Sequence, residues 1–295
     1  MNRLTVGGAT VEVAAEGRGR WSTTRLARLF ARATGSPVLS IVPAPLAAAP
    51  AEPARPSFDS GRGWWVSERE DGWSISFWDD HRRPSPAPCQ VLSVDRSWSR
   101  GHLYLPPGFA GPDARPFWLW YPLEQLLFTT LLGRASGAVI HASAVVSDGV
   151  GWIFAGTHGA GKSTTAALFA GRPNTVVLSD DRVVVRRVGA AWKVFGTPWA
   201  GTVMKASPLS APVAGILFLC HGPPTSAIPL LAASAATRLL ARCFHPYWDR
   251  CALDGLLETV TAIALDVPCY DFPFVPDADA IVAALPRPRG GAPGA

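Results

Sequence analysis

Residues 156–164 have the types and spacing of a phosphate-binding loop. They read GTHGAGKST and satisfy the pattern G-x-x-x-x-G-K-[ST]. Glycines in such a loop permit positive φ angles, so neighbouring backbone N–H groups can converge on phosphate oxygens. A helix that begins beside the loop adds the positive end of its dipole. The residues predicted to bind phosphates are Gly156, Thr157, His158, Gly159, Ala160, Gly161, Lys162, Ser163 and Thr164.

Two side chains of this loop have individual roles in the prediction. Lys162 is expected to reach the β- and γ-phosphates of a nucleoside triphosphate, and the Ser163 hydroxyl is expected to bind Mg²⁺. The chain has only three lysines, and one of them stands at the required position. The sequence therefore predicts ATP and Mg²⁺ as cofactors.

A pair of acidic residues, Asp180 and Asp181, follows the apolar run Val-Val-Leu at 176–178. P-loop proteins place a carboxylate that holds Mg²⁺ at the end of such a strand. With one carboxylate on the metal, the other can accept a proton from an attacking hydroxyl. One helix and a turn separate Lys162 from this pair, which predicts that the aspartate strand lies beside the P-loop strand. The alternative is that both carboxylates are solvated turn residues.

The elements around these residues predict an α/β domain. Apolar positions at helical spacing predict four helices besides the one at 161–169: 122–132, 232–243, 254–264 and 277–285. Strand patterns occur at 138–146, 150–155, 175–179, 182–188, 192–195, 215–220 and 269–274. The Asp-Gly pair at 148–149 predicts that the first two of these strands form a hairpin that leads into the phosphate loop.

The first part of the chain has a different pattern. Strand patterns occur at 4–14, 63–68, 72–78, 90–95 and 102–105, with a helical pattern at 23–34 and an Ala/Pro-rich loop at 42–56. We therefore expect a small, mostly antiparallel, β-rich domain over residues 1–117. The P-loop domain is expected over 118–285, and the Pro/Gly/Arg-rich residues 286–295 are expected to be a disordered tail.

Composition excludes several classes of protein. The net charge of +5 comes almost entirely from scattered arginines without a basic run, so no nucleic-acid partner is expected. Prolines and a histidine interrupt the most apolar segment, 211–236, and the N-terminus lacks a signal-peptide pattern. These features predict a cytoplasmic protein without a membrane partner.

Cysteine and tryptophan usage adds two structural expectations. The five cysteines include no C-x-x-C pair, which indicates buried free thiols instead of disulfides or a structural zinc site. The twelve tryptophans, many of them in the first part of the chain, indicate core and sheet packing in preference to base stacking.

Four features resemble the P-loop domain of HPr kinase/phosphorylase and the HPr-kinase-related proteins. They are the Ile-His-Ala-Ser segment at 140–143, the P-loop directly after a hairpin, the aspartate pair, and the segment VPCYDFPF at 267–274. The resemblance covers roughly residues 118–285. It implies an HPr-kinase-like P-loop domain with a mixed sheet.

The resemblance also implies an activity, the transfer of the γ-phosphate of ATP to the hydroxyl of a serine or another residue. The acceptor it implies is a peptide or small protein, such as a ribosomally made peptide precursor. It assigns Asp180 as general base, Asp181 together with Ser163 to Mg²⁺, Lys162 to phosphate, and His141 to the neighbourhood of the transferred phosphate. A structural role is the alternative for His141. Because relatives are often oligomeric, a homo-oligomer is a further expectation.

The sequence also departs from the enzyme that phosphorylates HPr. Thr164 stands where that enzyme has an acidic residue, and the segment that engages HPr is not found. Two other functions therefore stay open: a kinase of small-molecule hydroxyls and a non-catalytic module that senses ATP. Weaker site candidates are the Gly/Pro segment at 196–201 and the arginines Arg238, Arg242 and Arg250.

Overall fold

The structure is a computed structural model. It describes residues 3–14, 27–31, 36–51, 55–78, 87–107 and 122–288. Two compact units are distinguished: Met1–Leu127 with Tyr247–Asp249, and Phe128–Pro246 with Arg250–Ala295. The boundary expected at 117–118 lies outside the described residues, as does the tail from 289 onward.

The first unit is built on one eight-stranded sheet. Its strands are β1 (Arg3–Val6), β2 (Ala9–Val13), β3 (Leu39–Pro45), β4 (Phe58–Asp59), β5 (Trp64–Glu68), β6 (Gly72–Phe77), β7 (Gln90–Asp95) and β8 (Arg100–Leu105). Their order in the sheet is β1-β2-β3-β8-β7-β6-β5-β4. Only the β2–β3 and β3–β8 pairs are parallel, so the expectation of a mostly antiparallel, β-rich unit is confirmed.

Three details of the sequence prediction need correction here. Residues 4–14 form two strands instead of one, because Gly7 and Gly8 turn the chain at positive φ. The expected loop at 42–56 begins later, since β3 extends to Pro45 and a 3₁₀ turn, Leu46–Ala48, follows. Prolines are tolerated there because, among the described strands, β2 pairs only with residues 39–41 and no strand pairs with that side of residues 42–45. Of the expected helix at 23–34, the described part is a 3₁₀ turn at Ala27–Ala31.

Tryptophans pack the interior of this unit, as the composition predicts. The Trp98 side chain is 1% exposed and its ring lies 5.7 Å from that of Trp73. Its Nε1–H donates a 2.8 Å hydrogen bond to Asp249 Oδ2. Phe58 contacts the rings of Tyr247 and Trp248. These contacts explain why Tyr247–Asp249, remote in sequence, belongs to the first unit.

The second unit is an α/β structure, and the division between the units falls inside its first helix. The helices are α1 (Leu123–Arg134), α2 (Lys162–Phe169), α3 (Ala232–Leu240), α4 (Arg250–Asp266) and α5 (Ala278–Ala284). The strands are β9 (Gly137–Ser147), β10 (Val150–Ala155), β11 (Thr175–Ser179), β12 (Arg182–Val188), β13 (Ala191–Phe195), β14 (Ser210–His221), β15 (Ile228–Pro229) and β16 (Cys269–Phe274).

The sheet of this unit is mixed and centres on two long strands. Strand β9 pairs antiparallel with β10 on one side and with β11 and β12 on the other. Strand β14 runs parallel to both β10 and β16. The expectation that the aspartate strand lies beside the P-loop strand is therefore wrong, because β9 and β14 occupy the two sides of β10 and β11 pairs with β9.

The local signals at the ends of these elements are confirmed. Asp148 and Gly149 both have positive φ, 48° and 81°, and form the turn of the β9–β10 hairpin. Asp277 caps α5, since its Oδ1 accepts hydrogen bonds from the N–H groups of Asp279 and Ala280.

Successive residues of β10 pack into two different apolar layers, one on each face of the sheet. Ile153 packs with residues of α3 and α4, such as Leu239 and Val260. Its neighbour Phe154 packs with Phe169 of α2 and with Ile281 of α5 in the other layer. Because side chains alternate across a strand, helices cover both faces of this sheet. The P-loop strand is thus fixed from both sides.

All five cysteines lie in described residues and are free thiols. The expectation that they are buried holds for Cys243 and Cys269 but is wrong for Cys220 and Cys251, which are exposed. The chain has no described helix that is both long and apolar enough to span a bilayer.

Thiol labelling checks this distribution. Burial raises the pKa of the Cys243 and Cys269 thiols to about 12, and the thiolate is the reactive form. At pH 8, iodoacetamide is expected to modify Cys220 and Cys251 first and to spare both buried thiols until a denaturant is added. Peptide mass spectrometry reads the order, and early labelling of Cys243 would contradict the packing described above.

Candidate functional site

The phosphate loop connects the end of β10 to the start of α2, as the sequence predicts. Gly159 and Gly161 have positive φ angles of 78° and 99°, and Gly161 is the residue that precedes the helix. A Cβ at Gly161 would lie 2.5 Å from Cζ of Phe274, and one at Gly156 would lie 2.6 Å from Cβ of Ala160. The spacing of glycines therefore meets both conformational and steric requirements of the turn.

Substitutions at Gly161 and Gly171 distinguish the conformational requirement for positive φ from the steric requirement for space. Alanine at Gly161 must adopt positive φ and displace the buried Phe274 ring, whereas Gly171 has φ 87° with open space around it. Gly171→Ala is expected to cost about 1–2 kcal/mol of unfolding free energy, and Gly161→Ala about 1–3 kcal/mol more. Urea denaturation measures both values. Equal losses would show that Phe274 does not restrict the loop.

The loop borders a cavity of about 300 Å³. It is lined by His141, His158, Gly159, Gly161, Lys162, Ser163, Thr164, Asp181, Gly201 and Thr202. Eight of these ten are residues that the sequence singles out for phosphate, metal or catalysis. Three loop residues, Gly156, Thr157 and Ala160, support the turn without lining the cavity, and Asp180 is not among the lining residues either.

Lys162 carries a buried ammonium group inside the loop. Its Nζ donates hydrogen bonds to the carbonyl oxygens of Gly156 at 3.1 Å and Thr157 at 2.8 Å. Burial lowers the pKa of Lys162; the negative charge of Asp181 raises it, and the positive charge of Arg242 lowers it again. A buried cation of this kind favours an anion in the adjoining cavity.

Serine hydroxyls tie the start of α2 to the neighbouring strands. Ser143 of β9 donates a buried 2.9 Å hydrogen bond to the carbonyl oxygen of Lys162. The Ser163 hydroxyl lies 3.4 Å from the carbonyl oxygen of Asp180. The start of α2 is therefore held near both the His141 strand and the aspartate pair.

Asp181 faces the cavity together with His141. Its Oδ1 lies 3.2 Å from His141 Nε2, and its Oδ2 lies 3.3 Å from Nε of Arg182. Burial opposes ionisation of this carboxyl, but the hydrogen bond from His141 and the charges of Arg182, His141 and Lys162 together lower its pKa. Asp181 is consequently a carboxylate at neutral pH.

Asp180 occupies a different environment from its neighbour. Its side chain is 1% exposed, its Oδ1 accepts a 2.9 Å hydrogen bond from Gly201 N–H, and its Oδ2 accepts a 2.7 Å bond from Val203 N–H. Asp181 lines the cavity, whereas the Asp180 carboxylate is bonded to these two N–H groups and is not among the lining residues. This geometry does not favour Asp180 as the general base that the sequence predicts, and it favours Asp180 as an anchor of residues 201–203.

The weaker site candidates, the 196–201 segment and three arginines, differ in how close they lie to the cavity. Gly201 and the adjacent Thr202 line the cavity, so part of the 196–201 segment reaches the site. Arg238 pairs with Asp271, and Arg250 pairs with Asp254 on its own helix. Arg242 alone among these three arginines influences Lys162 electrostatically.

Sequence reasoning missed two residues that contact the loop, His221 and Phe274. Phe274 lies against Gly161, and His221 Nε2 lies 3.0 Å from the carbonyl oxygen of Gly159. Phe274 ends the strand predicted at 269–274, but nothing in that pattern indicates a contact with the loop. His221 ends β14, the parallel neighbour of β10, and parallel strands bring their carboxyl ends to one edge.

The residues at the cavity suit Mg²⁺ bound with a nucleotide. Within the described ranges no cluster of three or more His, Cys, Asp or Glu residues could hold a metal by itself. Mg²⁺ needs no such cluster, because it takes one or two protein oxygens and completes its shell with water and phosphate oxygens. The Ser163 hydroxyl and the Asp181 carboxylate supply oxygens of that type.

No protein-family model matches the chain, and no curated protein matches its sequence. Among solved structures, the Hpr(Ser) kinase/phosphatase from Coxiella burnetii is similar with a TM-score of 0.30 and 15% identity, over 49% of this chain and 84% of that chain. A likeness that weak carries no argument about activity, and the chain stands as an α/β protein with two mixed sheets.

Proposed function

We propose that this chain is an ATP-dependent phosphotransferase that moves the γ-phosphate to a hydroxyl group. The observation that supports it most is the meeting, in one cavity, of the phosphate loop, the buried Lys162 ammonium and the Asp181–His141 pair. Binding of Mg²⁺ and nucleotide would use the carboxylate, but it gives no role to the imidazole that lies beside it.

The loop and Lys162 bind the triphosphate and neutralise the charge that develops on it. Backbone N–H groups around Gly159 and Gly161 take the phosphate oxygens, and Lys162 supplies a positive charge next to them. Ser163 and one oxygen of Asp181 would hold Mg²⁺. The chemistry that the metal would supply there is neutralisation of the negative charge on the phosphates.

The Asp181–His141 pair takes the proton in this proposal. As the acceptor oxygen forms its bond to the γ-phosphorus, its O–H bond breaks and the proton passes to the pair. The bond between the γ-phosphorus and the β,γ-bridging oxygen breaks, and ADP leaves. Asp181 Oδ1 and His141 Nε2 lie 3.2 Å apart, within reach of one another at the cavity.

Asp180 is a positioning residue in this scheme. Its hydrogen bonds from Gly201 and Val203 fix the backbone that carries Gly201 and Thr202 to the cavity wall. This scheme moves the proton-acceptor role from Asp180, where the sequence places it, to the Asp181–His141 pair, and it keeps Asp181 at the Mg²⁺ site.

A polypeptide acceptor is favoured by an exposed apolar residue whose backbone is bonded to a residue of the cavity wall. Met204 is 63% exposed, and its N–H bonds to the carbonyl oxygen of Gly201, which lines the cavity. An exposed methionine next to a phosphoryl-transfer site suits contact with a side chain of a peptide or small protein.

Incubation with γ-labelled ATP and Mg²⁺ tests the proposal. Candidate acceptors are the peptides and small proteins encoded beside this chain, together with a panel of small hydroxyl compounds. A peptide acceptor is expected to gain about 80 Da, the mass of one phosphoryl group. Label on a small compound alone would favour the small-molecule kinase. Tight ATP binding without transfer to any acceptor would favour a sensing module and contradict the proposed catalysis.

A further inference from the structure

We infer that the exposed face of the His221 imidazole is the stacking platform for the nucleobase of the bound nucleotide. The inference rests on the proposed function, because it assigns the far end of the same nucleotide. It concerns a side chain outside the cavity that holds the phosphates.

The position of His221 follows from the topology. It is the last residue of β14, whose parallel neighbour β10 leads into the phosphate loop. Its Nε2 lies 3.0 Å from the carbonyl oxygen of Gly159, a residue that lines the cavity. The ring is therefore one hydrogen bond away from the loop, on the edge of the sheet where ligands of open α/β folds bind.

The hydrogen bond to Gly159 also determines which nitrogen of the His221 ring carries a proton. A carbonyl oxygen only accepts, so His221 must carry a proton on Nε2 to make this bond. The bond orients the imidazole relative to the loop and leaves its π faces free of that interaction.

One of those faces is already covered. The His221 ring stacks on Phe274 with centroids 5.7 Å apart and an interplanar angle of 26°. Phe274 itself is 2% exposed and lies against Gly161 and the ring of Phe272. The buried Phe274 ring thus supports the exposed His221 ring. The other face of His221 is a flat surface that is already oriented before a ligand binds.

A planar aromatic surface of this kind suits a nucleobase. Stacking of a base on an aromatic ring accepts any base, because every base has a π face. A ligand whose phosphates lie beside Gly159 extends its ribose and base outward from the loop. The His221 ring, which is hydrogen-bonded to Gly159, is the aromatic surface next to that path. The chemical class assigned to this surface is therefore the base of a nucleoside triphosphate.

Two probes that differ only in the nucleoside test the assignment. Calorimetry measures binding of ATP and of inorganic tripolyphosphate, each with Mg²⁺, to the full chain and to three variants. His221→Ala is expected to weaken ATP binding roughly 5- to 100-fold, the range for loss of one stacked base. Tripolyphosphate binding should change less than about twofold, and His221→Phe, which keeps a stacking face, should keep ATP affinity.

His102→Ala is the matched control, since His102 is another exposed histidine stacked on an aromatic ring, Tyr104, in the first unit. Equal weakening of both probes by His221→Ala would overturn the inference and make His221 a support of the loop. Unchanged ATP affinity would overturn it as well. Failure of the unaltered chain to bind either probe would instead reject the proposed function, and thermal melting of each variant distinguishes lost binding from lost folding.

Discussion

Methionine in place of Lys162 is expected to lower phosphoryl transfer by about 10²- to 10³-fold, the loss typical of removing one preorganised electrostatic group. The Lys162 ammonium is buried among loop carbonyls beside the cavity, so its charge is poorly screened by solvent. ATP binding should weaken as well, because the same charge contacts the ground-state phosphates. Steady-state kinetics and calorimetry measure the two effects separately.

Lys193→Met is the control for that experiment. Lys193 lies on β13, is only partly buried, and pairs through its backbone with Pro212 of β14. Its removal should leave transfer and binding within about twofold of the unaltered chain, the ordinary result for a surface substitution. If Lys162→Met transferred phosphate as fast as Lys193→Met, the phosphate loop would have no role in the reaction.

Asparagine substitutions at the two aspartates are expected to affect different quantities, the turnover number at Asp181 and the free energy of unfolding at Asp180. Asp181→Asn should reduce the turnover number by about 10²- to 10⁴-fold, because the cavity loses its proton acceptor. Asp180→Asn should lower the free energy of unfolding by about 1–3 kcal/mol, since an amide NH₂ would face the N–H of Gly201 or Val203. Urea denaturation and transfer assays on both variants separate the roles.

The reverse pattern would overturn the assignment. If Asp180→Asn folded with full stability but had no transfer activity, Asp180 would be the proton acceptor and the sequence-based roles would stand. Each substitution is the control for the other, because the two side chains have the same size and lie at adjacent positions.

The decrease of the free energy of unfolding at acid pH gives an independent check on the lowered pKa of Asp181. Its pKa is lowered from the ordinary value of 3.8, so the folded state holds this proton less tightly than the unfolded state does. Its contribution to stability is therefore present above pH 3.8 and is lost as the pH falls through the lowered value. In Asp181→Asn this part of the pH dependence should be missing from denaturation curves between neutral and acid pH.

The parts of the fold that the sequence predicted well are those fixed by neighbouring residues. The Asp148-Gly149 turn and the Asp277 cap each depend on interactions within a few residues. Such signals appear directly in the sequence because the residues that make the contact are close together in it.

The features that the sequence did not predict depend on distant pairings. Nothing near Gly151 in the chain indicates that Val213, on a strand far along the sequence, will be its parallel partner. That pairing is what carries His221 to the phosphate loop. The place of Tyr247–Asp249 in the first unit has the same origin, since the Trp98–Asp249 hydrogen bond joins residues far apart in sequence.

The aspartate pair shows a third limit of sequence reasoning. Two adjacent carboxylates are chemically equivalent in the sequence, and only the direction of each side chain separates a cavity residue from a buried anchor. That direction depends on where the backbone of residues 201–203 lies, which is settled by packing in three dimensions.

A crystal structure of the chain with Mg²⁺ and a non-hydrolysable ATP analogue tests the central claim most directly. We expect phosphate oxygens about 2.7–3.2 Å from backbone nitrogens of residues 159–163, with Asp181 and His141 on the side of the γ-phosphate. The base should lie over the free face of His221. A triphosphate bound elsewhere, or a γ-phosphate facing away from Asp181, would contradict the account.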